Sequence, residues 1–101
     1  MSSPLIVQLD MAEFCEATEL SDAYVIEIVE HGILEPQGTE PKDWVFNDYE
    51  LTLAKRAAKL RRDLDLEWEG VALALDLLEE VQQLRAENRM LKQRLGRLLV
   101  E

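Results

Sequence analysis

Residues Asp10 to Pro36, DMAEFCEATELSDAYVIEIVEHGILEP, allow this chain few ways to fold. Met11, Phe14 and Cys15 form one apolar set; Val25, Ile26, Ile28 and Val29 form another, followed by Ile33 and Leu34. Spacings of three and four residues place each set on one face of a short helix. Asp10 caps the first helix with Glu13 three residues on, and Ser21 caps the second. The second helix stops near His31-Gly32, where glycine tolerates the left-handed backbone of a helix end. Two short helices joined by a tight turn are the usual scaffold for reading DNA.

The charge on that scaffold is wrong for DNA. Residues 1–53 carry twelve carboxylates and a single cation, Lys42, whereas residues 54–101 are nearly balanced at +1, so almost all of the net −10 lies on the first half. DNA binding draws most of its free energy from Lys and Arg neutralising phosphates. A second helix whose outer face offers Asp22, Glu27 and Glu30 repels phosphate and suits a basic partner instead.

The rest of the chain reads as follows. Leu5 to Leu9 predicts a short strand, and Glu35 to Asp43, with Pro36, Gly38 and Pro41, predicts a loop or hairpin tip. Trp44 to Phe46 predicts a second strand beside the small core, which completes a winged helix-turn-helix. Asn47 or Asp48 caps a third helix from Tyr49 to about Leu64, with Leu51, Leu53, Ala54, Ala57, Ala58, Leu60 and Leu64 on its apolar side. Lys55, Arg56, Lys59, Arg61 and Arg62 lie mostly on the other side. The period breaks at Asp63 to Gly70, and a helix resumes near Glu69, with Trp68 anchoring the third helix to the fourth. Val71 to Leu78 is apolar almost all round, which predicts packing on more than one side.

From Ala74 a heptad repeat takes over. Its a and d positions are Ala74, Leu77, Val81, Leu84, Asn88, Leu91, Leu95 and Leu98. This seam predicts a homodimer, with Asn88 pairing against its own copy and Gly96 weakening the last turns. Glu80 and Glu87 at g positions match Arg85 and Lys92 at e positions of a parallel partner. The fold class expected is therefore mainly α: an acidic winged helix-turn-helix domain over residues 1–70, with a small β wing and two further helices, and a coiled-coil helix over residues 71–101.

Several classes are excluded by what the sequence lacks. It contains no nucleophile-base-orienter set, no phosphate-cradling glycine loop and no metal-ligand spacing, so neither enzymatic activity nor a cofactor is expected. No apolar run approaches the ~20 residues of a membrane span. The N-terminus lacks the basic region of a signal peptide, and Cys15 is the only cysteine; a cytoplasmic protein is expected, with Cys15 as a buried packing residue rather than a reactive thiol.

The helix-turn-helix, the His31-Gly32-Ile33-Leu34-Glu35-Pro36 turn, the wing, the two-helix continuation and the terminal coiled coil together resemble the MerR-like regulators over almost the whole chain. The positions that touch DNA in that family differ. Ile26-Glu27-Ile28 replaces an Arg-Tyr-Tyr run, Trp44-Val45-Phe46 replaces the wing's Arg-aromatic pair, and Glu19 replaces a glycine between the helices. MerR-like proteins commonly dimerise through antiparallel helices, in contrast to the parallel pairing that the e and g charges favour. The phrases EFCEATELSD, EIVEHGILEP, WVFND, RAAKLRRDLDLEWEGVALALDLLEEV and LRAENRMLKQRL resemble, more closely, the CbpM family of bacterial chaperone modulators. That resemblance implies binding to the J-domain of a CbpA/DnaJ-like co-chaperone, with inhibition of its co-chaperone and DNA-binding activities.

A J-domain, by the same resemblance, presents a basic helix. The acidic face then supplies the expected contacts: Glu13, Glu16, Asp22, Glu27 and Glu30 as a charged rim, with Tyr24 as the central anchor and Ile26 beside it. Leu77, Val81, Leu84, Asn88, Leu91, Leu95 and Leu98 are the expected dimerisation residues. Two alternatives fit parts of the sequence: a MerR-like transcription regulator touching DNA through the basic third helix, and a module whose only task is dimerisation.

Overall fold

Each of the first three helices starts where a short polar side chain can take up a free backbone N–H. Asp10 accepts from the Glu13 N–H at 2.8 Å, and Glu13 Oε1 accepts from the Asp10 N–H at 2.9 Å, a reciprocal capping box. Ser21 Oγ accepts from the Tyr24 N–H at 3.1 Å. Asn47 and Glu50 form a second reciprocal box, at 2.8 and 3.1 Å. The resulting elements, in a computed structural model that describes residues 7–99, are α1 (Met11–Thr18), α2 (Asp22–Glu30), α3 (Asp48–Leu64) and α4 (Trp68–Leu99), with a 3-10 turn at Pro41–Asp43 between α2 and α3.

The stops are equally local. Gly32 (φ 76°) ends α2, where the Ile33 N–H reaches back to the Ile28 carbonyl at 3.2 Å. The ends of α1 and α3 use Glu19 (φ 61°) and Asp65 (φ 53°), left-handed conformations that glycine adopts at lower cost.

The core gathers one face from every element. Phe14 of α1 stacks on Phe46 with ring centroids 4.0 Å apart, and Trp44 meets Phe46 edge-on at 6.2 Å. Val25 and Ile28 of α2, Leu34, Ala54 and Ala57 of α3, and Trp68 and Val71 of α4 complete the buried cluster. Thr18 is buried too, its hydroxyl donating to the Phe14 carbonyl at 2.8 Å. Trp68 Nε1 is buried without a hydrogen-bond partner among the described residues.

Four expectations need correction. No strand forms among the described residues: the wing is two isolated antiparallel bridges, Leu9 with Phe46 and Gln37 with Val45, joined by backbone bonds of 2.8–3.2 Å. Pro36, Gly38 and the 3-10 turn leave no run long enough for a ladder; Leu5 and Ile6 of the expected first strand lie outside the described residues. Leu64 is 60% exposed, because α3 has outrun the core by its last turn and the chain reverses at Asp65. Cys15 is half-buried at the core's edge rather than enclosed. Lastly, Leu73, Leu77 and Leu78 are exposed, because α4 touches the body only through its first turns. The whole 32-residue helix is about 48 Å long, and its later turns project from the body.

Candidate partner-binding face

The helix phases settle which carboxylates look outward. On α1 the core takes Phe14 and Thr18, so Glu13 and Glu16 fall on the opposite side and are exposed. On α2 the core takes Val25 and Ile28, which turns Ala23, Glu27 and Glu30 to solvent and puts Asp22 at the helix start. Among the described residues, ion pairs join only Glu40 with Lys42 and Asp63 with Lys59 and Arg62. None of Glu13, Glu16, Asp22, Glu27 and Glu30 pairs with a cation among the described residues. Two of them do local work: Glu13 closes the first capping box, and Asp22 accepts from the Ala23 N–H at 2.8 Å.

The two helices meet at Cys15. Burial pushes its thiol pKa up, and the negative charge of Asp22 adds to the rise. The carboxylate at the start of α2 thus lies close enough to α1 to act on Cys15. Glu19, exposed in the turn between α1 and α2, adds a sixth carboxylate that helical spacing alone does not assign to this face.

Tyr24 sits differently from its expected role. Its ring is half-buried, edge-on to Trp68 at 5.1 Å, so part of the apolar surface assigned to a partner is spent inside the chain. Ile26 is likewise half-buried against the core. On the same edge of α2, His31 lies 6.2 Å from the Trp68 ring, with Nδ1 2.8 Å from the Glu27 carbonyl oxygen. Arg61 of α3 lies over Trp68, its Cζ 4.4 Å from the ring centroid and 5.9 Å from that of Tyr24. Trp68 and Arg61 went unread as site residues. The available signal was an Arg seven positions before a Trp that follows a helix break.

The other four cations of α3 are exposed. Lys59 and Arg62 reach Asp63 at 3.1 and 3.4 Å, and the hydrogen bond from Lys59 holds that carboxyl below its usual range. An open groove of about 840 Å³ lies between residues 31–35, the start of α3 and α4; Ile33, Leu34, Leu53 and Leu75 line it, with Glu35, Asp76 and Glu79 among its charged residues.

Along α4, Leu77, Val81, Leu84, Asn88, Leu91, Leu95 and Leu98 all remain exposed on one unbroken helix, with no cover from the other described residues. No helix among the described residues is long and apolar enough to cross a membrane.

Comparison with known proteins gives this architecture a family. Residues 9–93 match the model of the MerR HTH family regulatory proteins. The chain is 66% identical over 97 residues to the chaperone modulatory protein CbpM of Pseudomonas entomophila strain L48, and 65% identical over 97 residues to that of Pseudomonas putida strain W619, in each case over 96% of both chains. It is 40% identical over 93 residues, or 92% of both chains, to the CbpM of Escherichia coli O139:H28. The chain therefore belongs to the MerR helix-turn-helix family and, within it, to the CbpM chaperone modulatory proteins.

Proposed function

We propose that this chain modulates a chaperone system by binding the J-domain of a CbpA/DnaJ-like co-chaperone through its acidic face, inhibiting both the co-chaperone and the DNA-binding activity of that partner. The observation that carries this reading is the row of outward carboxylates on α1 and α2, Glu13, Glu16, Asp22, Glu27 and Glu30, none of which has a cation within the described chain. Uncompensated charge of one sign costs self-repulsion unless a partner of the other sign meets it. A basic helix laid on this face gains Coulomb energy and encounter rate, and the same contact denies that helix to other ligands. The half-buried Tyr24 contributes the apolar edge of the contact.

In this reading residues 1–70 recognise the partner, and residues 71–101 pair two copies through Leu77, Val81, Leu84, Asn88, Leu91, Leu95 and Leu98. The protein acts in the cytoplasm, where such a co-chaperone works, and neither catalyses a reaction nor holds DNA.

Calorimetric titration with the isolated J-domain of the cognate co-chaperone tests the reading. A saturable complex is expected that weakens as salt rises and weakens further in Asp22→Lys/Glu27→Lys. Absence of any complex at micromolar concentration refutes it. A chain ending at Leu78 retains J-domain binding if recognition lies in the first domain, and loses all activity if the molecule is only a dimerisation module.

A further inference from the structure

We infer that Arg61 is a specificity-determining residue of the acidic face: held over Trp68, its guanidinium receives a carboxylate carried by the basic partner surface and so fixes the register of the complex. This rests on the partner reading above and deepens it.

Arg61 differs from its neighbours in three ways. Lys55, Arg56, Lys59 and Arg62 are exposed, whereas Arg61 is half-buried. Its Cζ lies 4.4 Å from the centroid of Trp68, a ring only 3% exposed and fixed by the core. Lastly, it enters no ion pair, and its side chain makes no hydrogen bond among the described residues; Asp63, two positions on, is taken by Lys59 and Arg62. Glu27 and Glu30 lie on the helix that carries Tyr24, yet neither closes on it. A guanidinium has five N–H donors arranged to match a carboxylate. Here one face is held by an aromatic ring, and the donors remain free.

That arrangement favours binding because ordering is already done. A flexible arginine loses rotamer freedom when it meets an acceptor, but one packed on Trp68 has lost much of it beforehand. The surrounding charge defines the ligand. On α2, the exposed Glu27 lies one turn from Tyr24, the ring beside Arg61, and disfavours a free phosphate or nucleic acid there, whereas one carboxylate set in a basic segment arrives on a surface of net positive charge. Attraction between a negative and a positive face alone has no strong preference for position. One inverted pair at the edge penalises every register in which Arg61 faces a partner cation.

The test compares the full-length chain with Arg61→Met and Arg61→Lys in calorimetric titrations with the isolated J-domain of the cognate co-chaperone, with Glu27→Lys as control. Met keeps an apolar cover on Trp68 and removes the donors. Bulk charge predicts that losing a cation from an acidic face tightens binding to a basic partner. The inference predicts the reverse, a loss of about ten-fold or more for Arg61→Met and a smaller loss for Arg61→Lys. Neutralising the rim carboxylates of the J-domain one at a time must include one change that weakens the wild-type complex and leaves the Arg61→Met complex unaltered. Thermal melts monitor the fold, and if Arg61→Met does not fold, Arg61→Lys carries the comparison. Equal or tighter binding by a folded Arg61 variant, or no coupled carboxylate, overturns the inference while leaving J-domain binding intact. A wild-type chain that binds no J-domain removes both.

Discussion

The uncovered face of α4 yields a quantitative test through Leu84 and Leu91, replaced together by aspartate. Both are positions of the proposed seam, 55% and 57% exposed in the single chain. Fully burying a leucine side chain is worth about 1.5–3 kcal/mol, so closing the remaining half contributes roughly 1 kcal/mol at each position. Two positions on two protomers give about 4 kcal/mol of lost burial, and carboxylates forced into an apolar seam add a desolvation cost of several kcal/mol more. At ~1.4 kcal/mol per decade, the dimer dissociation constant rises by at least about a thousand-fold. Sedimentation equilibrium over the micromolar range reads this directly. The wild-type chain is expected to be dimeric and Leu84→Asp/Leu91→Asp monomeric, with the helix-turn-helix domain still folded. Asn88→Leu, which replaces a polar group at an a position, shifts the equilibrium the other way. A wild-type chain that stays monomeric, or a double aspartate variant that still dimerises, refutes the assignment of this stripe as the seam.

Three further outcomes follow from backbone and charge. Gly38 has φ 114°, and a Cβ there would lie 2.6 Å from the Asp43 carbonyl oxygen, whereas Gly32 has φ 76° and open space around it; Gly38→Ala is expected to cost about 2–4 kcal/mol and Gly32→Ala about 1 kcal/mol in urea unfolding, and equal costs refute the clash. Glu19→Gly relieves a left-handed glutamate at the end of α1 and is expected to stabilise by about 0.5–1 kcal/mol after the extra backbone entropy of glycine, read as a rise of a few degrees in the melting temperature. Cys15 alkylates more slowly in the folded than in the unfolded chain; Asp22→Asn removes a negative charge, lowers the thiol pKa and speeds labelling, by less than unfolding does because burial is the larger cause. No acceleration in Asp22→Asn places the two residues too far apart to interact.

The parts of this fold legible in the sequence are those decided within a few residues. Asp10 with Glu13, Ser21 before Tyr24, Asn47 with Glu50, and Gly32 after His31 each close a hydrogen bond over one turn, so residue type and spacing suffice. The apolar periods likewise found Phe14, Val25, Ile28, Ala54 and Ala57, all of which are buried. The wing was less legible because each pairing is a single bridge, set by the packing of Phe46 on Phe14 rather than by strand propensity. The contact of Tyr24 with Trp68 joins residues far apart in sequence, and no period announces it. Arg61 was one of five similar cations until the structure placed it over a tryptophan.

The misreading of Leu73, Leu77 and Leu78 carries a more general point. An all-round apolar segment was expected to pack on several sides of its own chain, yet only Val71 and Trp68 of α4 are buried in the body. Apolar composition states how much surface needs covering, and it does not state which chain covers it. The acidic face poses the same question in charge. Among the described residues its carboxylates do not close with the cations of α3: Lys59 and Arg62 reach Asp63, Arg61 packs over Trp68, and Lys55 and Arg56 are exposed. One chain thus leaves an apolar stripe on α4 and an anionic surface on α1 and α2, both without an internal partner among the described residues. An apolar stripe with self-complementary heptads is matched by a second copy of itself, but an acidic face cannot be, because like meets like. On the proposed function, the two surfaces take two different occupants, a second copy on α4 and a basic protein on the helix-turn-helix.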